Sequence, residues 1–202
     1  INRISIDEVN EIKAYLDKYV WFLKPERNFD LVSILNQIAQ TKQRYGLEYF
    51  VIDAWNKIEH ADDKTSYIGK CLDEIVTFCE THNVHCFLVA HPTKIKKNIN
   101  TGKYEVPTLY DIAGSANFYN KADNGICVYR DFEEEKSYVH IQKIKFDHWG
   151  TEGCAVFSYD VKSKRYQSDI PDLGSWIKPR SLYDEMIEYV NGKPKENEFD
   201  IF

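Results

Sequence analysis

Two short apolar runs, each ending in a polar residue, constrain the fold of this chain most strongly. The first is Tyr49–Asp53, and the second is Cys86–Ala90, which His91 follows. Such runs are typical of strands buried in a parallel sheet. Because functional groups gather at the carboxyl ends of parallel strands, we expect Asp53 and His91 at one edge. A carboxylate there can hold Mg²⁺ beside a nucleotide phosphate, although the bare pattern equally fits an aspartate that caps a turn.

The remaining periodicities predict an α/β fold, with a mostly parallel sheet flanked by helices and antiparallel strands near the C-terminal end. We expect one domain over residues 1–170, followed by a linker, a short helix and an acidic-aromatic tail over 171–202. Apolar residues recur at helical spacing over 5–19, 31–45 and 65–82, and a short helix is expected to end at Lys121. Strands are predicted at 20–23, 125–129, 137–146, 154–159 and 161–167.

Composition narrows the class of protein. The 202 residues are 43% hydrophobic and 29% charged, which is ordinary for a globular domain. A formal net charge of −6 argues against non-specific coating of nucleic acid, but it leaves room for a local basic loop. The five cysteines form no C-x-x-C pair, and no apolar run is long enough to span a membrane. We therefore expect reduced thiols and a cytoplasmic setting, in a bacterium or a phage-infected cell.

A long polar segment follows the second strand. It runs from Pro92 to Pro107 and has no apolar period, and its cations are Lys94, Lys96, Lys97 and Lys103. Loops of this length in compact domains are usually functional or disordered. A nucleotide site also needs a phosphate-binding loop, and the pattern G-x-x-x-x-G-K-[ST] does not occur in the chain. We expect that loop to lie upstream of Ile1 in a longer parent protein, so that this chain alone hydrolyses no nucleotide.

Five stretches, taken in chain order, carry a family resemblance. They are Phe50–Asn56 with Ile58–His60, Leu88–Lys94, Val106–Asn124, Val128–Arg130, and Gln142–Phe146 with Gly150–Gly153. In these stretches the chain resembles the hexameric replicative DNA helicases with a RecA-like motor, in the branch of phage primase-helicases and mitochondrial Twinkle. The first stretch is similar to that family's Walker B strand, and the last to the strand and turn that supply a finger to a neighbouring subunit.

The resemblance implies an ATP and Mg²⁺ site shared between subunits. Asp53 would hold Mg²⁺ directly or through water, with Asn56 beside it, and His91 would sense the γ-phosphate. Arg130 would lie near the nucleotide. The finger position, usually arginine, holds Lys145, and Lys143 is the alternative for that role; lysine keeps the charge but loses the planar fork of arginine.

The resemblance also implies a single-stranded DNA partner and a hexameric ring. The DNA contacts would come from the basic loop with its four lysines, and from Gly114 and Ser115. The tail that ends at Phe202 is similar to acidic-aromatic tails that dock on a replication partner. Two other readings remain at this point. One is a RecA-like DNA-binding or recombination module without catalysis, and the other is a metal-dependent α/β hydrolase that uses Asp53, His60 and His91 as ligands.

Overall fold

The computed structural model describes residues 5–24, 29–59, 65–93, 95, 97–100, 102–112 and 115–168, with the backbone alone at 115 and 149. The described residues fall into two compact units. Residues 5–24 belong to the first, and residues 29–168 belong to the second. None of the helices in the described part is long and apolar enough to cross a membrane.

The first unit contains helix α1, Ile6–Tyr19. Ser5 starts it through a capping box, in which the Ser5 hydroxyl accepts from the Glu8 amide and the Glu8 carboxylate accepts from the Ser5 amide. The prediction of a strand at 20–23 was wrong. Val20 is extended, but residues 20–24 pair with no strand among the described residues, and apolar residues alone make no sheet without a partner.

Helix α2, Leu31–Tyr45, opens the second unit, and its ends follow from local chemistry. The Asp30 carboxylate accepts a hydrogen bond from the Ser33 amide at 2.9 Å, which starts the helix. Gly46 ends it in the left-handed conformation at φ 75°, which favours glycine. Both ends agree with the sequence prediction. Strand β1, Tyr49–Asp53, follows directly.

Helix α3, Thr65–His82, then leads to strand β2, His85–Val89. The two strands pair in parallel, with Tyr49 opposite His85 and Asp53 opposite Val89. The core lies on one side of this pair, where α2 and α3 pack against it. Its buried residues are Leu31, Leu35, Ile38, Phe50, Ile52, Trp55, Ile58, Ile68, Cys71, Leu72, Ile75 and Phe118.

A short helix, α4 (Ser115–Lys121), packs on α3 and on the 3₁₀ turn Leu109–Asp111. The side-chain amide of Asn117 donates to the Thr65 carbonyl at 2.7 Å, and the Lys121 ammonium pairs with Asp73. The Phe118 ring meets the Trp55 ring edge-on, with centroids 5.5 Å apart. Helix α4 is therefore fixed both to α3 and to the segment that follows Asp53.

The last elements of the described part are four antiparallel strands, which form one sheet in sequence order. They are β3 (Asn124–Asp131), β4 (Lys136–Ile144), β5 (Gly153–Asp160) and β6 (Arg165–Ser168). The loop before α4 covers part of one face, where a Cβ added at Gly125 would lie 2.2 Å from Leu109 Cδ1, so that Leu109 would have to move to admit a side chain there. The antiparallel strands expected at 125–129, 137–146 and 154–159 are confirmed, whereas the strand expected at 161–167 begins only at Arg165, because residues 161–164 form the turn after β5. With the parallel pair and its helices, these strands give the predicted α/β architecture.

Candidate functional site

The two polar residues singled out from the sequence lie at one edge of the parallel pair. Asp53 is the last residue of β1, and its in-register partner is Val89 at the end of β2. His91 follows two residues after Val89, and both the Asp53 and His91 side chains are exposed. The peptide bond between Asp53 and Ala54 is cis. The structure therefore brings a carboxylate and an imidazole to the carboxyl edge of the same two strands.

Asn56 joins the two segments that leave this edge. It lies in the 3₁₀ turn Trp55–Lys57, immediately after Asp53 and Ala54. Its side-chain oxygen accepts a hydrogen bond from the His91 amide at 2.8 Å, across 35 residues of sequence. Asn56, which the sequence placed near the nucleotide, thus holds the backbone of His91 beside the end of β1.

The donor set at this edge suits Mg²⁺. Asp53 offers hard carboxylate oxygens, and Mg²⁺ typically uses one or two carboxylates together with waters and substrate phosphates. Across the described ranges, no three His, Cys, Asp or Glu side chains converge as a metal cage. Asp53 supplies one carboxylate of this kind at the carboxyl end of β1. His60, the third ligand of the alternative hydrolase site, lies outside the described residues.

The segment after His91 is tied at its base to the residues before α4. Thr93 donates from both its amide and its hydroxyl to the Asp111 carbonyl, at 2.8 and 2.9 Å. Pro92 and Ile112 form an antiparallel bridge beside these bonds. Asp111 in turn accepts from the Thr108 amide and hydroxyl through its carboxylate. Sequence reasoning missed this base, although Thr108-x-x-Asp111 is a recognisable capping-box pattern.

Part of the basic loop is a small hairpin. Lys97 and Tyr104 form an antiparallel bridge, and the Asn98 amide donates to the Lys103 carbonyl at 2.9 Å. Gly102, at φ 68°, supplies the left-handed residue of the turn. The Lys97 ammonium lies 4.8 Å from the centre of the exposed Tyr104 ring. The sequence predicted only a loop over Pro92–Pro107, because that segment has no apolar period. The structure shows that part of it forms a hairpin.

Lys103 is held by carboxylates of the β3–β4 turn. Its ammonium lies 3.0 Å from Asp131, 3.1 Å from Glu134 and 3.6 Å from Glu133. These hydrogen bonds raise the pKa of Lys103 above its ordinary value. The pKa of Asp131 is lowered, first by the Glu134 amide and then by Lys103. The positive charge of Lys103 is thus balanced within the molecule, and its position fastens the hairpin to the sheet.

The two candidate finger lysines lie in different surroundings. The half-buried Lys143 donates from its ammonium to the Tyr119 carbonyl in the last turn of α4, a position that favours a cation. Lys145 is exposed and pairs with the equally exposed Asp123 at 2.5 Å. Exposed pairs contribute little, so Lys145 can leave its partner more readily than Lys143 can.

Arg130 lies near the end of β3 on the face opposite Asp131. Its guanidinium lies 5.2 Å from the centre of the Phe132 ring and 5.6 Å from that of Tyr159. These contacts keep a cation at the surface of the antiparallel sheet.

Several of the predicted DNA-contacting residues, and the predicted C-terminal tail, are not among the described residues. Lys94, Lys96, Gly114 and the segment 171–202 lie outside the described residues, and at Ser115 only the backbone at the start of α4 is described. The predicted DNA contacts that the structure describes with side chains are therefore Lys97 and Lys103.

Comparison with known proteins gives a curated sequence relative and solved structures of similar fold. Over 183 residues the chain is 32% identical to the Twinkle homolog protein, chloroplastic/mitochondrial, of Arabidopsis thaliana. That alignment covers 85% of this chain and 25% of the relative, so the chain spans about a quarter of that protein's length. A solved ATPase domain matches with a TM-score of 0.54 at 17% identity, over 68% of this chain and 50% of that one. No family model matches the chain.

The predicted resemblance is confirmed. This chain carries a RecA-like domain of the Twinkle type. The likeness to the ATPase domain confirms the fold, and the sequence relative belongs to the branch that the motifs indicate. The relative's name places that protein in organelles, so the cytoplasmic setting expected for this chain stays a prediction.

Proposed function

We propose that this chain is part of the motor of an ATP-dependent replicative DNA helicase, or primase-helicase, that moves along single-stranded DNA. The observation that carries the proposal is the hydrogen bond from the His91 amide to Asn56 at the edge where Asp53 ends β1. It holds the expected γ-phosphate sensor beside the expected Mg²⁺ ligand. The relationship to the Twinkle homolog supports the same conclusion.

In this proposal the nucleotide lies at an interface between subunits of a ring. Mg²⁺, when bound with ATP, neutralises phosphate charge, and Asp53 holds it on the side of this subunit. A neighbouring subunit supplies a lysine cation in trans. Lys145 suits this role better than Lys143, because the ammonium of Lys143 is committed to the end of α4. Arg130 stays a second candidate cation near the nucleotide.

The hydrogen-bonded path at the sheet edge suggests how the nucleotide and DNA sites communicate. His91 is two residues from Thr93, whose bonds to Asp111 close the base of the basic loop. A shift of His91 toward a γ-phosphate would therefore be passed to both ends of the loop. Lys97 on that loop would contact DNA phosphates, and these contacts would weaken as salt rises.

The decisive test uses the full-length protein and Asp53→Ala. We expect DNA-stimulated ATP hydrolysis to fall by at least about 100-fold, since a Mg²⁺ ligand is lost, while circular dichroism stays unchanged. Asp17→Ala, which removes an exposed carboxylate from α1, is the matched control and should retain native turnover. Native turnover by Asp53→Ala would disprove the proposed role of this edge.

The alternative module without catalysis makes the opposite prediction. It would bind single-stranded DNA while showing no ATP hydrolysis in the full-length protein, and Asp53→Ala would then leave every measured property unchanged. Comparing ATP turnover with and without single-stranded DNA therefore separates the two functions.

A further inference from the structure

We infer that Tyr104 is a stacking platform for a base of single-stranded nucleic acid, paired with Lys97 as the phosphate contact. The inference rests on the proposed function and deepens it, because it names a base-contacting residue in the basic loop. The Tyr104 side chain is 53% exposed although its backbone is firmly held. A held backbone that presents an exposed aromatic ring beside a cation is the arrangement that non-specific single-strand binders use.

The backbone of Tyr104 is fixed by bonds that do not involve its own ring. It bridges to Lys97, and its carbonyl accepts a hydrogen bond from the Tyr129 hydroxyl at 3.3 Å. The neighbouring Lys103 is clamped to Asp131 of β3. Ordering the hairpin before DNA arrives lowers the entropic cost of binding, because fewer rotatable groups must be immobilised on contact.

The charges around the hairpin favour one face for the ligand. Successive side chains on an extended strand point to opposite faces, so the Tyr104 ring faces away from Lys103 and its carboxylates. On the ring's side lies Lys97, whose ammonium is 4.8 Å from the ring centre. The carboxylates paired with Lys103 thus lie on the face of the hairpin away from the Tyr104 ring. The face that carries the ring and Lys97 suits a nucleotide, whose base would stack on the ring and whose phosphate would contact Lys97.

A stacking role for Tyr104 accounts for the internal ion pairs of Lys103. Because Asp131 and Glu134 neutralise the Lys103 ammonium, that ammonium is not available to attract phosphates. Lys103 instead acts as a positioning residue that sets the height and angle of Tyr104. The ligand class is any single strand with bases, because every base offers a π-face and the contact reads no sequence.

The test measures binding of a fluorescent oligo-dT to the full-length protein by anisotropy over a range of salt. Tyr104→Leu should weaken binding by roughly 5- to 150-fold with an unchanged salt slope, as expected for the loss of one stacked base. Tyr104→Phe should bind as the native protein does. Lys97→Ala should instead lower the salt slope by about 0.7, the value for one phosphate contact on a single strand.

Two controls separate the inference from a general loss of structure. Tyr166→Leu removes a ring of similar exposure, 58%, from the edge strand β6 and should change nothing. An oligomer of abasic sites lacks bases, so the native protein and Tyr104→Leu should bind it equally. Native affinity of Tyr104→Leu for oligo-dT would overturn the inference and leave the proposed function intact. If the native protein failed to bind oligo-dT, the proposed function would fall first.

Discussion

Replacement of Trp55 by alanine should destabilise the second unit more than any other change near the site. The Trp55 side chain is 2% exposed, two residues after Asp53, and its ring meets Phe118 edge-on at 84°. Removing a buried indole costs roughly 3–5 kcal/mol through lost transfer energy and the cavity left behind. A domain of this size is stable by about 5–15 kcal/mol, so Trp55→Ala should bring the unit close to unfolding.

The assay is urea unfolding of the 202-residue chain followed by far-ultraviolet circular dichroism, which does not depend on the indole that is removed. Phe118→Ala and the double variant complete a cycle, and the aromatic contact predicts a coupling of about 0.5–1.5 kcal/mol. Tyr49→Ala, at a ring that is 63% exposed, is the control and should change stability by less than about 1 kcal/mol. A loss below about 1 kcal/mol for Trp55→Ala, or a coupling of zero, would refute the reasoning.

Three further predictions follow from the contacts. Asn56→Leu should lower DNA stimulation of ATP turnover while Asn56→Asp, which keeps the acceptor for the His91 amide, retains it; equal loss in both would contradict the positioning role. The pKa values of Asp131 and Glu134 are lowered from 3.8 and 4.5, so attachment of the hairpin should be complete above pH ~4.5 and be lost as the pH falls through the lowered values. Amide NMR shifts of the hairpin that stay constant down to pH 2 would refute this. Burial raises the pKa of Cys86 to about 12, so a thiol reagent should modify the exposed Cys154 first, as peptide mapping would show.

The bounds of several helices and strands could be predicted from the local sequence. Helix α2 begins at its Asp30 cap and ends at Gly46, and helix α3 has the bounds that its apolar period indicates. Strand β1 is equally clear, because a short apolar run that ends in Asp53 has few other structures open to it. The carboxyl-edge rule then placed Asp53 and His91 together correctly.

The structural features that could not be predicted from the sequence depend on contacts between residues far apart along the chain. The hairpin at Lys97 and Tyr104 is fastened by Lys103, whose carboxylate partners lie 28 and 31 residues away. The partner of Lys143 is a backbone carbonyl, which no side-chain pattern reveals. The strand predicted at 20–23 is absent for a related reason. Its apolar residues suit a strand, but pairing depends on a neighbouring strand that the local sequence does not specify.

The paired bonds between Thr93 and Asp111 also bear on how this protein can change over evolution. They bring the two ends of the loop together at the sheet, so closure of the loop does not depend on its length. For a flexible loop, doubling the length adds only about 0.6 kcal/mol of closure entropy. Insertions at the tip of the hairpin, between Asn98 and Lys103, should therefore be tolerated by the fold, whereas deletions that remove Lys103 or Leu109 would break contacts with the sheet. The tip of the loop can vary in length and composition while the edge that carries Asp53 and His91 keeps its geometry.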